Sequence, residues 1–147
     1  MFKIKYKHNF EAAHRLTNYE GKCKNIHGHN YAVRITISSA TLDKDNMVID
    51  FNKLKKICKN VIDKNLDHCI ILDKKDKNLY KSLKSMDHKI YLIQGSPTAE
   101  NLAYEIYLLL LANFKEKERY FLDSVEIYEN DKSIAIWEDS LKRVKDE

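Results

Sequence analysis

Cys23-Lys24-Asn25-Ile26-His27-Gly28-His29, running on through Asn30-Tyr31-Ala32-Val33-Arg34-Ile35-Thr36-Ile37-Ser38, is the stretch from which the remaining sequence can be read. From His29 onward the apolar residues hold odd positions, Tyr31, Val33, Ile35 and Ile37, with Arg34, Thr36 and Ser38 opposite. That is the period-two alternation of a half-buried strand. His27 and His29 share the odd parity, so in an extended backbone both imidazoles point to the same side as the core residues. Imidazole is the commonest protein ligand for metals, and a catalytic zinc takes three protein ligands and keeps a fourth position open. A third donor is therefore expected.

The N-terminal stretch repeats the alternation on even positions, Phe2, Ile4, Tyr6 and Phe10, with Lys3, Lys5 and Lys7 between. Continued, the same parity carries Ala12 and His14 to the core side. If segment 15–26 brings these two strands together in plain register, His14, His27 and His29 fall on one buried face and form a metal site. A bulge at Gly28 would break that agreement.

With 147 residues the chain is long enough to bury one core, and it is read as one domain over 1–147. Its 44% hydrophobic and 33% charged residues exclude a disordered chain. A net charge of +4 permits an anionic small substrate, but the lysines are spread through the sequence and no nucleic-acid recognition motif appears. The N-terminal segment alternates charge with apolar residues instead of forming a signal peptide, and the longest apolar run, Ile106 to Ala112, falls far short of a membrane span. Three cysteines, Cys23, Cys58 and Cys69, lack a disulfide spacing. A cytoplasmic protein is expected, with neither nucleic acid nor membrane as partner.

Asp50 is a good N-cap for an amphipathic helix whose apolar stripe runs Phe51, Leu54, Ile57, Cys58, Val61 and Ile62, with Cys58 as a small buried residue. Leu66-Asp67-His68 follows it. Lys74 to Lys89 reads as a charged, solvated stretch with no function assigned, and Tyr91 to Ile93 as a short strand. Ser96-Pro97-Thr98-Ala99-Glu100 starts a second, richly apolar helix that ends near Phe114, apolar enough to point to a subunit contact. In the strand Leu122 to Glu129, Val125 and Ile127 share their parity with Glu129, which sets a carboxylate at the end of an apolar face. A carboxylate so placed needs a partner or a ligand with donor groups. A turn at Asn130-Asp131-Lys132 leads to a last strand, Ile134 to Trp137, and the charged tail Glu138 to Glu147 reads as a frayed helix.

Six motifs occur together in order: Phe10-Glu11-Ala12-Ala13-His14; Cys23 ahead of His27-Gly28-His29; Val48-Ile49-Asp50-Phe51; Leu66-Asp67-His68; Pro97-Thr98-Ala99-Glu100-Asn101; and Val125-Glu126-Ile127-Tyr128-Glu129. With them the chain resembles, over nearly its whole length, the family of 6-pyruvoyl-tetrahydropterin and 6-carboxytetrahydropterin synthases. The resemblance implies an α+β fold, a four-stranded antiparallel sheet with two helices on one face (the tunnelling fold). It also implies assembly of three subunits into a barrel and of two trimers into a homohexamer with sites between subunits. It implies zinc on His14, His27 and His29, proton transfer by Cys23, Asp67 and His68, a pterin anchored by Glu129, and a pocket lined by Thr98, Ala99 and Glu100.

Within the family, the three residues between Cys23 and His27 and the Pro97-Thr98-Ala99 motif resemble the 6-carboxytetrahydropterin branch of queuosine and deazapurine biosynthesis. The implied enzyme is a zinc-dependent lyase that converts 7,8-dihydroneopterin triphosphate to 6-carboxy-5,6,7,8-tetrahydropterin, acetaldehyde and triphosphate. The alternative is a 6-pyruvoyl-tetrahydropterin synthase, which eliminates the triphosphate. A third reading makes Cys23 a fourth ligand, which would close the zinc site and leave a non-catalytic pterin-binding module. Asn130 departs from the threonine that many members carry after the glutamate.

Overall fold

The computed structural model describes residues 1–114 and 119–139. The expected frayed helix at the C-terminus falls largely on 140–147, outside the described residues. Two thirteen-residue strands, β1 (Phe2–His14) and β2 (His27–Ser39), pair antiparallel without interruption from Phe2↔Ser39 to His14↔His27. Gly28 sits in that ladder opposite Ala13 with no register shift, so the plain register expected from the parity of the two strands holds. Residues directly paired in such a ladder lie on the same side of the sheet. Phe10↔Tyr31, Ala12↔His29 and His14↔His27 therefore share one face, and Glu11↔Asn30 and Ala13↔Gly28 the reverse face.

Among the described residues the sheet has six strands. β3 (Cys69–Asp73), β4 (Ile90–Ile93), β5 (Phe121–Tyr128) and β6 (Ile134–Glu138) complete the order β4-β3-β1-β2-β5-β6. β1, β2, β5 and β6 form the expected four-stranded antiparallel sheet. β3 and β4 extend it by parallel pairing, β3 touching β1 only along Ala12↔Cys69 to His14↔Ile71. The α+β class stands with two further strands. The irregularity that does occur in β2 lies at Thr36/Ile37, where β5 shifts register, far from the histidines.

Among the described residues three α-helices are present where two were expected. α1 (Phe51–Cys58) starts on Asp50, whose carboxylate accepts from the Asn52 amide at 2.7 Å. Its Leu54 and Cys58 pack into the core with Phe10, Tyr31, Val33, Ile35 and Ile37. Full burial of each large apolar side group there stabilises the fold by about 1.5–3 kcal/mol. The helix continues as a wider π-type turn over Lys59–Asp63, which brings Asp63 against His8 of β1. The additional helix, α2 (Lys77–Ser85), buries Leu83 and half-buries Leu79 and Tyr80, a short apolar stripe among lysines. α3 (Ala99–Asn113) buries Leu102, Ala103, Ile106, Tyr107 and Leu110, while Tyr104 and Leu108 remain exposed on this chain. No described helix is long and apolar enough to cross a membrane.

Replacing Asp50 by alanine removes the cap of α1 and leaves an amide of its first turn unpaired. We expect a loss of about 1 kcal/mol, read as a lower urea midpoint with an unchanged slope.

Candidate metal centre and its cavity

The paired ends of β1 and β2 gather His14, His27 and His29. His14 Nε2 lies 3.1 Å from His27 Nε2 and 3.1 Å from His29 Nε2. Among the described residues these three are the group whose ligand atoms lie close enough, within 4.8 Å of one another, to hold a metal ion. Two of the imidazoles have their tautomers set by main-chain carbonyls. His14 Nδ1 donates to the Pro97 carbonyl at 2.7 Å, and His27 Nδ1 donates to the Asn25 carbonyl at 2.8 Å. A carbonyl only accepts, so both Nδ1 atoms carry the proton and both Nε2 atoms present lone pairs to each other.

Two lone pairs at 3.1 Å repel unless a cation lies between them. Ligands about 2.0–2.1 Å from a tetrahedral zinc stand roughly 3.3 Å apart, close to the spacing seen here. The donor set thus fits a zinc-sized ion, and the carbonyl partners supply the outer hydrogen bonds that orient ligating histidines.

His14 is 2% exposed. Burial lowers its pKa against the opposing pull of the Pro97 hydrogen bond, which favours the neutral imidazole that a metal requires. The Tyr31 hydroxyl lies 3.2 Å from the same Nδ1, and burial pushes that phenol well above its ordinary range, so it stays protonated. Tyr31 shares the parity of His27 and His29, a signal already present in the sequence. Pro97, whose carbonyl arrives from 83 residues away, had none.

A cavity of about 510 Å³ opens on the three histidines. Cys23 lines it, on a short helical turn, Lys22–Lys24, tied back by the Leu16 amide on the Cys23 carbonyl at 2.8 Å. The thiol is not part of the cluster of converging ligand atoms. Glu129, at the end of β5, lines the same cavity, as do Thr98, Ala99 and Glu100. Thr98 caps α3 by accepting from the Asn101 amide at 3.3 Å, and Glu100 is exposed in the first helical turn. Lys132, which no sequence motif marks, also lines the cavity, on a turn where the Asn130 carboxamide accepts from the Lys132 and Ser133 amides.

Asp67 and His68 are not in this cavity. They stand just before β3, and His68 lines a second cavity, of about 440 Å³, with Glu11, Ala13, Gly28 and Asn30 of the reverse face and also with Ala12 and His29. The two residues form a pair, His68 Nδ1 to Asp67 Oδ2 at 2.8 Å. The hydrogen bond to Asp67 and its charge raise the His68 pKa. Burial pushes the Asp67 carboxyl up, but the Glu11 amide and the His68 hydrogen bond outweigh it and hold the group below its ordinary value. Cys58 and Cys69 are buried thiols pushed up to about 12 by burial, and so are inert.

Fold and site together define an α+β protein whose sheet carries three convergent imidazoles in a cavity large enough for a small molecule. The chain belongs to the 6-pyruvoyl tetrahydropterin synthase family, whose model matches residues 3–140. It is 36% identical over 130 residues to a 6-carboxy-5,6,7,8-tetrahydropterin synthase of Rickettsia typhi, covering 88% of this chain and 94% of that protein. It is 35% identical over 137 residues to a 6-pyruvoyl tetrahydrobiopterin synthase of Drosophila melanogaster, covering 85% of this chain and 72% of that protein. The 6-pyruvoyl tetrahydropterin synthase of Caenorhabditis elegans shares its fold, with a TM-score of 0.71 and 26% identity over 95% of this chain and 96% of that one.

Proposed function

We propose that this chain is a zinc-dependent 6-carboxy-5,6,7,8-tetrahydropterin synthase. It would take 7,8-dihydroneopterin triphosphate and water to 6-carboxytetrahydropterin, acetaldehyde and triphosphate, feeding the synthesis of a deazapurine such as queuosine. The observation that carries this reading is the convergence of the three histidine nitrogens in a cavity shared with the Cys23 thiol and the Glu129 carboxylate. The Rickettsia relative, which bears the name of this activity, supports it over the 6-pyruvoyl alternative that the Drosophila relative represents.

In this reading His14, His27 and His29 hold the zinc, which supplies an electron-pair acceptor for oxygens on the side arm of the substrate. Glu129 accepts hydrogen bonds from the N–H edge of the pterin, and its charge strengthens them. Thr98, Ala99 and Glu100 border the pterin. Cys23 removes a carbon-bound proton from that side arm. Asp67 orients His68, which moves protons to and from substrate oxygens, work worth about 10²- to 10⁴-fold in rate for a well-placed group.

Within one subunit Asp67 and His68 do not line the cavity that holds Cys23 and Glu129, and His68 lines a second cavity that shares only His29 with it. The reading therefore places the pair of one subunit against the cavity of a neighbour, in a homohexamer with sites between subunits. Incubation of the zinc-loaded protein with 7,8-dihydroneopterin triphosphate, followed by mass, should yield acetaldehyde and 6-carboxytetrahydropterin. A 6-pyruvoyl product without acetaldehyde would move the protein to the other branch, and no turnover would leave a pterin-binding module. Coexpressed Cys23→Ala and His68→Ala variants, each inactive alone, should recover part of the activity in mixed assemblies; no recovery would rule out shared sites.

A further inference from the structure

Lys89 lies in the connection from α2 to β4, at the end of the charged stretch whose lysines look like mere solvated surface. Its ammonium nonetheless donates to two main-chain carbonyls, that of Asp67 at 2.7 Å and that of Asp63 at 3.2 Å. Both carbonyls belong to the C-terminal end of the helix that begins with α1. There the Leu66 and Asp67 amides turn back onto the Ile62 carbonyl. Carbonyls at such an end have no helical partner, and a cation suits them.

The next residue, His68, has φ +54, a left-handed conformation rare for a residue other than glycine. Such a conformation persists only where the surroundings impose it. Two sets of contacts impose it here. From β1, the Glu11 carbonyl accepts from the His68 amide at 2.7 Å, and the Glu11 amide donates to the Asp67 carboxylate at 2.9 Å. From the other side comes Lys89.

We propose that Lys89 is a positioning residue for the Asp67–His68 pair: by tying down the Asp63 and Asp67 carbonyls it holds the left-handed turn that presents His68 outward with its Nδ1 on Asp67. The role in turnover rests on the reading that this pair transfers protons. The ammonium also balances charge. His68 faces the Asp67 carboxylate on its own turn and the Glu11 carboxylate of β1, whose Oε2 is 3.5 Å from His68 Nε2. Cys69 beside it on β3 is a neutral thiol, and Lys89 is the cation acting on the pair. Asp67 and Glu11 raise the His68 pKa, and Lys89 lowers it. The hydrogen bond to Asp67 is the largest of these effects and Lys89 the smallest, so a turn freed by loss of Lys89, with His68 no longer on Asp67, releases the His68 proton at lower pH.

The test compares Lys89→Met with Lys89→Arg in the zinc-loaded full-length protein, reading the His68 imidazole titration by NMR and the kcat and KM for 7,8-dihydroneopterin triphosphate. In K89M the His68 titration should move to lower pH, as its hydrogen bond to Asp67 is lost; a move to higher pH would mean that only the charge of Lys89 had gone while the turn stood, and would overturn the proposal. Its kcat should fall about 10- to 100-fold, as expected when a catalytic group is misplaced, with KM and metal content close to wild type. K89R, which keeps the charge and can still donate, should restore both readouts. A K89M protein that titrates and turns over as wild type overturns the proposal. So does one that loses turnover with the His68 titration unmoved and no rescue by K89R. If the wild-type protein itself fails to turn over the pterin triphosphate, the functional reading falls, while the titration of K89M against K89R still decides whether Lys89 holds the turn.

Discussion

His14→Ala should leave the protein folded but without its metal: metal content per subunit by elemental analysis falls close to zero, and pterin turnover falls with it. Loss of a group that merely orients a ligating histidine already costs roughly 10- to 100-fold in metal affinity. His14 is a ligand candidate itself, and it stands between the other two at 3.1 Å from each. Its removal leaves two imidazoles, too few for a zinc site with an open position. The fold also loses stability, because the buried Pro97 carbonyl and Tyr31 hydroxyl lose their partner, at a cost of about 1–3 kcal/mol for an unsatisfied buried group. Circular dichroism and a denaturation curve separate that cost from the loss of metal. A folded His14→Ala protein with a full metal complement would show that the ion sits elsewhere.

Cys23→Ala should give the complementary result, full metal content with turnover reduced by about 10²- to 10⁴-fold, the range for loss of a well-placed proton-transfer group. The thiol borders the cavity of the three histidines but lies outside their ligand cluster. Its turn is fixed by main-chain hydrogen bonds, which alanine keeps. Cobalt substitution adds a second readout: an open three-histidine site lacks the strong thiolate charge-transfer band that a fourth, sulfur ligand produces. A thiolate band in the wild type, together with metal loss in Cys23→Ala, would make the site closed and structural and would sink the catalytic role.

Much of this site was legible in the alternation of two strands. Phe2, Ile4, Tyr6, Phe10 and His14 on even positions and His27 through Ile37 on odd ones specify which side of each strand is buried, because side chains change faces at every residue. The long ladder from Phe2↔Ser39 to His14↔His27 turns that parity into three imidazoles on one face. Glu129 is legible by the same reasoning, as a carboxylate in line with Val125 and Ile127. β3 and α2 escape it for physical reasons. Cys69–Asp73 is largely buried on both faces and so shows no alternation, and the stripe of Lys77–Ser85 is only Leu79, Tyr80 and Leu83, too short to stand out within a charged stretch.

Local periodicity and short motifs were enough to specify the faces of the long strands, the cap of α1, the histidine trio and the family. Such signals survive without knowledge of distant neighbours, because each is carried by residues adjacent in the chain. Tertiary packing was needed for the rest: that the Pro97 carbonyl would set the His14 tautomer, that Asp67 and His68 would not line the cavity that holds Cys23 and Glu129, and that Lys89 would grip the turn before His68. The two hydrogen-bonded contacts among these span 22 to 83 residues of sequence, and all three depend on how strands and helices stack, which no local pattern encodes.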